Sequence, residues 1–300
     1  MQLPRQLSKR KKDSHKGDFG HVFILAGSLG MTGAAVLSAK AALRSGAGLV
    51  TVGTPCSLVP VVLRHSVESM SLALPETNEG TLSSAAFTKI KDFLDKADIL
   101  LAGPGLSRNH ETQELTRKVI FESRIRTIID ADGINALVGF LDKFKMCISC
   151  LPLEKKNLRI ITPHPGEMAR LLDVKIEEVQ KKRQETARTF AKEYNVIVVL
   201  KGYQTIVSDP FGAVYVNNTG NSGMSTAGSG DVLTGMISAF LAQGLSSFEA
   251  ARLGVYAHGL AGDFAAQEKT QLGLIASDII ECIPKAIKRM EEAYSKQEKK

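Results

Sequence analysis

An α/β fold with a mainly parallel central sheet, helices on both of its faces and an antiparallel hairpin is what this chain predicts. Three observations carry that expectation. Short β-branched runs alternate with helical patterns, the runs are apolar almost throughout, and two strand-like segments flank "PFG" at 210–212. Near-continuous apolar runs suit strands covered on both faces, as in a parallel sheet. At 300 residues and 44% hydrophobic, the chain can bury a substantial core.

The strand candidates, in order, are "HVFILAG" (21–27), "GLVTVGTP" (48–55), "DILLAGPG" (98–105), "TIIDADG" (127–133), "LRIITPHPGE" (158–167) and "VIVVLKG" (196–202). "QTIVSD" and "AVYVNN" then read as the hairpin. Between strands, "GAAVLSAKAALRSG" (33–46) is an Ala-rich helix that ends at Gly46 and suits close packing on the sheet. "PGEMARLL" starts with Pro165 and carries Glu167 in its first turn, a good helix start. "DVLTGMISAFLAQG" (231–244) places Val232, Leu233, Met236, Ile237 and Phe240 on one stripe and stops at Gly244. A further helix rich in small residues follows in "SFEAARLGVYAHGLAGDFAAQ". There is no internal repeat, low-complexity segment or linker in 17–295, so one domain is expected there.

The net charge of +7 sits at the ends. Residues 1–16 carry six Lys/Arg and one Asp, and "KQEKK" (296–300) adds two positive charges, leaving 29 basic and 29 acidic residues over 17–295. The ends read as a flexible basic arm and a charged tail on a neutral body. With no basic-aromatic groove or recognition motif, nucleic-acid binding is not expected. No apolar stretch reaches the roughly 18 residues of a membrane span, and the N-terminus lacks the apolar core of a secretory signal. A cytoplasmic protein with no membrane partner is the expectation. Cys147 and Cys150 form a single CxxC without the second ligand pair zinc requires, so Cys56, Cys147, Cys150 and Cys282 read as reduced thiols.

Each strand candidate exits into Gly, Pro or a polar residue: "AGS", "GTP", "GPG", "DAD", "PHPGE", "KGYQT". In open parallel sheets ligands bind just beyond the carboxyl ends of the strands, so a site is expected at that edge. "AGSLGMTGAA" superficially resembles a dinucleotide-binding turn. The second strand ends in "VGTP", without the acid that would hold a ribose, and no GxxxxGK[ST] occurs. Hydride transfer is therefore disfavoured. In "STAGSGDVLTG" (225–235), glycines at 228 and 230 let backbone amides turn toward one point, at the start of a helix. That arrangement suits phosphate oxygens, and Asp231 beside it is either a helix cap or a base for a substrate hydroxyl.

Six ordered motifs, "KGDFGHVFILAGS…GAA", "LAGPGLS", "IIDADGINAL", "ITPHPGEMARLL", "LKGYQT" and "GNSGMSTAGSGDVLTGMISAFLAQG", together resemble the NAD(P)H-hydrate dehydratases, on the ribokinase-like fold. The resemblance covers about residues 17–290. It implies nucleotide-dependent removal of water from hydrated NADH or NADPH (NADHX, NADPHX). Asp231 would be the base, with the amides of Gly228, Ser229 and Gly230 as an anion hole. It implies nucleotide contacts from Lys201, Gly202, Tyr203, Gln204, Thr205 and Gly230, and contacts to the hydrated dinucleotide from Ala35, Gly105, His164 and Asp231. Mg2+ is the implied cofactor and ADP or ATP the co-substrate, with ADP favoured. Its ligands are open: Asp130 and Asp132, two apart on a strand end, either help bind magnesium or tie down turns, and Glu167 is a helix-start acid or a metal partner. The motifs begin at Gly17, without the epimerase domain many members carry. A stand-alone form acting on the S epimer is expected, with a separate epimerase elsewhere and a homo-oligomeric assembly. A vitamin-precursor kinase of the same superfamily and a non-catalytic nucleotide sensor are the competing readings.

Overall fold

The computed structural model describes residues 1–8, 10–150 and 158–295. Nine strands form one sheet in the order β3-β2-β1-β4-β5-β6-β7-β8-β9. They are β1 (His21–Leu25), β2 (Leu49–Pro55), β3 (Met70–Leu74), β4 (Ile99–Ala102), β5 (Arg126–Ile129), β6 (Ile160–Ile161), β7 (Ile197–Leu200), β8 (Ile206–Ser208) and β9 (Val214–Val216). Pairing is parallel from β3 through β7, and β8 and β9 complete the sheet as an antiparallel hairpin.

Alternation along each strand divides the core between the two faces, because successive side chains point to opposite sides. Val22, Ile24, Ile99 and Leu101 belong to one cluster with the helices Thr32–Arg44, Ser229–Ala242 and Ser247–Gly273. Phe23, Leu25, Leu100 and Ala102 belong to the other, with Phe87–Leu94, His110–Glu122 and Arg183–Tyr194. Helix Ser229–Ala242 is buried at every residue from Val232 to Ala242, as its long apolar stripe requires. It crosses Thr32–Arg44 at backbone contact: a Cβ at Gly235 would lie 2.3 Å from the Ser38 carbonyl oxygen.

Two outcomes depart from the sequence reading. The edge strand β3, "MSLAL", lacks β-branched residues and exposes Met70, so it carries little strand signal. The arm also packs more than its charge suggests. Leu3 is buried in the core, its amide donates to the Met290 carbonyl at 3.4 Å, and Gln2 donates to the Ala293 carbonyl. Arg10 reaches the Gly46 carbonyl and lies over the Phe19 ring. Charge counting misses this because one apolar side chain decides it. Deleting 1–16 should therefore lower the melting temperature, by about 3 °C if one buried leucine is worth roughly 2 kcal/mol. An unchanged melting curve would return the segment to the status of a loose arm. The 296–300 tail lies outside the described residues.

Candidate active site

The chain runs outward in both directions from the middle of the sheet, so the order reverses between β1 and β4. That reversal opens a crevice beyond the carboxyl ends of the strands. The loops leaving β1 and β4 are tied across it: the Gly27 amide donates to the Pro104 carbonyl and the Ser28 hydroxyl to that of Gly105. Gly105 is in the left-handed region (φ +62°), and a Cβ there would lie 2.7 Å from the Met31 carbonyl oxygen. Ala35 is fully buried, its methyl 3.3 Å from where a Cβ on Gly27 would lie.

The exits of β5, β6 and β7 bring charged groups together. Lys201 follows β7, and its ammonium stands 2.7 Å from Asp130 Oδ1 and 3.8 Å from Glu167 Oε2. Asp130, 1% exposed, also accepts from the Thr162 hydroxyl at 2.6 Å. Glu167 and His164 form a capping box at the start of helix Pro165–Leu172, with Pro165 at its first position. Glu167 accepts from the His164 amide, while His164 Nδ1 accepts from the amides of Gly166 and Glu167. With Nδ1 an acceptor twice over, the neutral ring carries its proton on Nε2. The imidazole pKa is lowered by burial and by the Lys201 charge, which keeps it neutral.

Asp130 and Asp132 do not share a strand face. Ala131 has φ +47° and ψ −115°, which breaks the extended backbone between them. Asp130 turns to Lys201, whereas Asp132 accepts from the Ser107 amide and from Asn135, tying down the β4 and β5 loops. The turn-holding alternative describes Asp132. Among the described residues no group of three His, Cys, Asp or Glu side chains is arranged to hold a metal ion.

Helix Ser229–Ala242 aims its N-terminus into this cluster. Gly228, left-handed at φ +87°, is its N-cap and supplies no side-chain cap. The first-turn amides of such a helix lack intrahelical partners and present partial positive charge. The Ser229 amide approaches the Thr226 carbonyl at 3.4 Å, and a Cβ at Gly230 would lie 3.4 Å from Lys201 Nζ. Asp231, in that first turn, has its pKa raised to about 7. Burial is the largest cause, followed by the Asp130 charge; Lys201 opposes them, and Glu167 and Asp132 add to the rise. Burial alone would lower the Lys201 ammonium, but Asp130, Glu167 and Asp231 together outweigh it and push its pKa up.

Residues 201–205 form an open turn beside the cluster. Gly202, Tyr203 and Gln204 are exposed, and Thr205 donates its hydroxyl to the Gly202 carbonyl. Two residues that sequence reading passed over also belong here. His258, buried in helix Ser247–Gly273, places Nε2 3.3 Å from the Ser229 hydroxyl, and burial pushes its pKa down to about 4. Arg183 contacts the 201–205 turn from helix Arg183–Tyr194, which precedes β7. "AHG" and "KKRQE" carry no signal of these roles in one dimension, since only the fold brings the side chains to the strand exits.

The family model described as NAD(P)H-hydrate dehydratase matches residues 22–285. The chain belongs to that family. An "ADP-dependent (S)-NAD(P)H-hydrate dehydratase" from Neisseria meningitidis is 36% identical over 93% of this chain and 88% of its own. A "Bifunctional NAD(P)H-hydrate repair enzyme Nnr" from Moorella thermoacetica is 42% identical over 96% of this chain. The chain spans about half the length of that relative and of other bifunctional relatives it matches, 53% in the Moorella case. Among solved structures, the "ADP/ATP-dependent NAD(P)H-hydrate dehydratase from Bacillus subtilis co-crystallized with ATP/Mg2+" is 30% identical, with a TM-score of 0.78 over 97% of this chain and 95% of that one. The fold is the ribokinase-like one expected from the motifs.

Proposed function

We propose that this chain restores NADH or NADPH from the S epimer of the hydrated form, consuming ADP or ATP. The observation that carries the reading is Asp231. A carboxylate with a pKa near 7, at an uncapped helix N-terminus among charged strand exits, is suited to take a proton from a hydroxyl at neutral pH. Family membership and the Neisseria relative's name supply the substrate.

Hydroxide leaves the hydrated ring poorly, whereas phosphate leaves well. Asp231 removes the proton of the ring hydroxyl, whose oxygen attacks the terminal phosphorus of the nucleotide. The bond to AMP (from ADP) or to ADP (from ATP) breaks. The amides of Gly228 and Gly230 are the donors offered to the charge that accumulates on the transferring group, the Ser229 amide between them being taken by the Thr226 carbonyl. The ring nitrogen lone pair then expels phosphate, and loss of the neighbouring ring proton restores the nicotinamide. His164, fixed as the Nε2–H tautomer, is a donor toward the hydrated dinucleotide, and Gly105 lines its side of the crevice. Lys201, Gly202, Tyr203, Gln204, Thr205 and Gly230 receive the nucleotide.

Mg2+ supplies charge neutralisation of the phosphates when bound. The carboxylates of Asp130, Asp132 and Glu167 are engaged by Lys201 and Thr162, by Ser107 and Asn135, and by His164. They do not form a protein cage, so the ion is assigned to nucleotide phosphates and water, in keeping with its reluctance to dehydrate. Incubation with hydrated NADPH and each nucleotide, with and without Mg2+, tests the reading. Nicotinamide absorbance should recover only when a nucleotide is present. Accumulation of a stable phosphorylated product without that recovery would favour a small-molecule kinase instead.

A further inference from the structure

We infer that Arg183 is a positioning residue that shapes the 201–205 turn into a surface of outward-facing amide donors for the nucleotide. The inference rests on the nucleotide-dependent reading above. Arg183 opens helix Arg183–Tyr194 and extends to the exit of β7. One of its terminal nitrogens donates to the carbonyls of Leu200 and Lys201, each at 3.2 Å, and the other donates to the carbonyl of Tyr203. Three carbonyls within four consecutive residues thus converge on one guanidinium.

That convergence has a geometric consequence. In a planar trans peptide the N–H points opposite to the C=O it is bonded through. Gathering the Lys201 and Tyr203 carbonyls on Arg183 therefore turns the amides of Gly202 and Gln204 to the other side. Neither amide has an acceptor among the described residues. The Lys201 amide, by contrast, is taken by the Pro163 carbonyl. The backbone that achieves this is unusual: Gly202 has φ +132° and Gln204 has φ +53°. Glutamine seldom adopts the left-handed region, so an external tie is needed to hold it there. The internal tie is one hydroxyl bond, from Thr205 to Gly202.

Gly202 also leaves room for the clamp, since a Cβ there would lie 3.1 Å from the Arg183 nitrogen. Burial alone shifts the guanidinium, downward, with no carboxylate contributing. Its positive charge is thus met by carbonyl dipoles and adds to the field that draws an anionic nucleotide. A guanidinium has five donors in a rigid fork, whereas an ammonium has three on a flexible stem, so lysine cannot reproduce a three-carbonyl clamp.

The test uses the full chain with Arg183→Lys and Arg183→Gln, titrated calorimetrically with Mg2+-ADP and Mg2+-ATP, alongside steady-state kinetics with hydrated NADPH. Both variants should weaken nucleotide binding about tenfold or more, as expected for losing hydrogen bonds to a charged group. KM for the hydrated dinucleotide should stay within about twofold, and kcat at saturating nucleotide should change far less than nucleotide KM. Wild-type affinity in both variants would overturn the inference, as would an equal rise in both KM values. Amide exchange on the wild-type chain makes the test independent of variant folding. The Gly202 and Gln204 amides should gain protection on adding Mg2+-ADP, and unchanged exchange in a nucleotide-bound sample would overturn the inference. A wild-type chain that binds neither nucleotide would instead defeat the functional reading.

Discussion

Asp231→Asn should lower turnover by about 10²–10⁴-fold, the usual range for a lost general base. Nucleotide should still bind, because the amide is nearly isosteric and the turn at 201–205 is untouched. The same change should raise stability at alkaline pH. In the fold the Asp231 pKa lies near 7, above its ordinary value of 3.8. Between those values the folded chain binds more protons than the unfolded one, so stability falls as pH rises through that window. Above about pH 7 the whole cost remains, and asparagine removes it. The variant should therefore melt higher than wild type at pH 8 while turning over far less. Turnover within a few-fold of wild type would reduce Asp231 to a first-turn helix residue.

Lys201→Ala should produce the second large effect. Its ammonium lies 2.7 Å from the buried Asp130 carboxylate and 3.8 Å from Glu167. Removing one partner of such a pair leaves the other charge buried and unanswered, at a cost of about 3 kcal/mol or more. Lys201 also holds the Asp231 pKa down against burial and three carboxylates. Wild-type activity should rise with pH around about 7, as the base ionises, and the alanine variant should need a higher pH to reach half its maximum. Apparent nucleotide KM should rise more than dinucleotide KM. A pH profile that does not move would detach Lys201 from the base.

Much of this site could be read from the chain because its signals are local. A run such as "HVFIL" must be a two-sided strand, and glycine with a polar residue at each exit marks the carboxyl edge where the residues converge. "HPGE" spells out its own capping box, and Asp231 stands beside two glycines. Other features depend on distance or backbone angle. Strand periodicity puts Asp130 and Asp132 on one side, but a single positive φ at Ala131 sends them to different partners. Arg183 and His258 lie on helices 18 and 57 residues from Lys201, where no periodicity links them to it. Leu3 looks like part of a solvated arm until its burial beside Met290 is seen. The edge strand β3 escapes because its residues are not those that favour a pleated surface.

The central claim is that ring dehydration proceeds through transfer of a phosphoryl group to the ring hydroxyl, begun by Asp231. The most direct measurement counts inorganic phosphate released against nicotinamide absorbance regained in one reaction. Each reduced nicotinamide restored should be matched by one phosphate, with AMP formed from ADP or ADP formed from ATP. Absorbance regained without nucleotide cleavage would contradict the account.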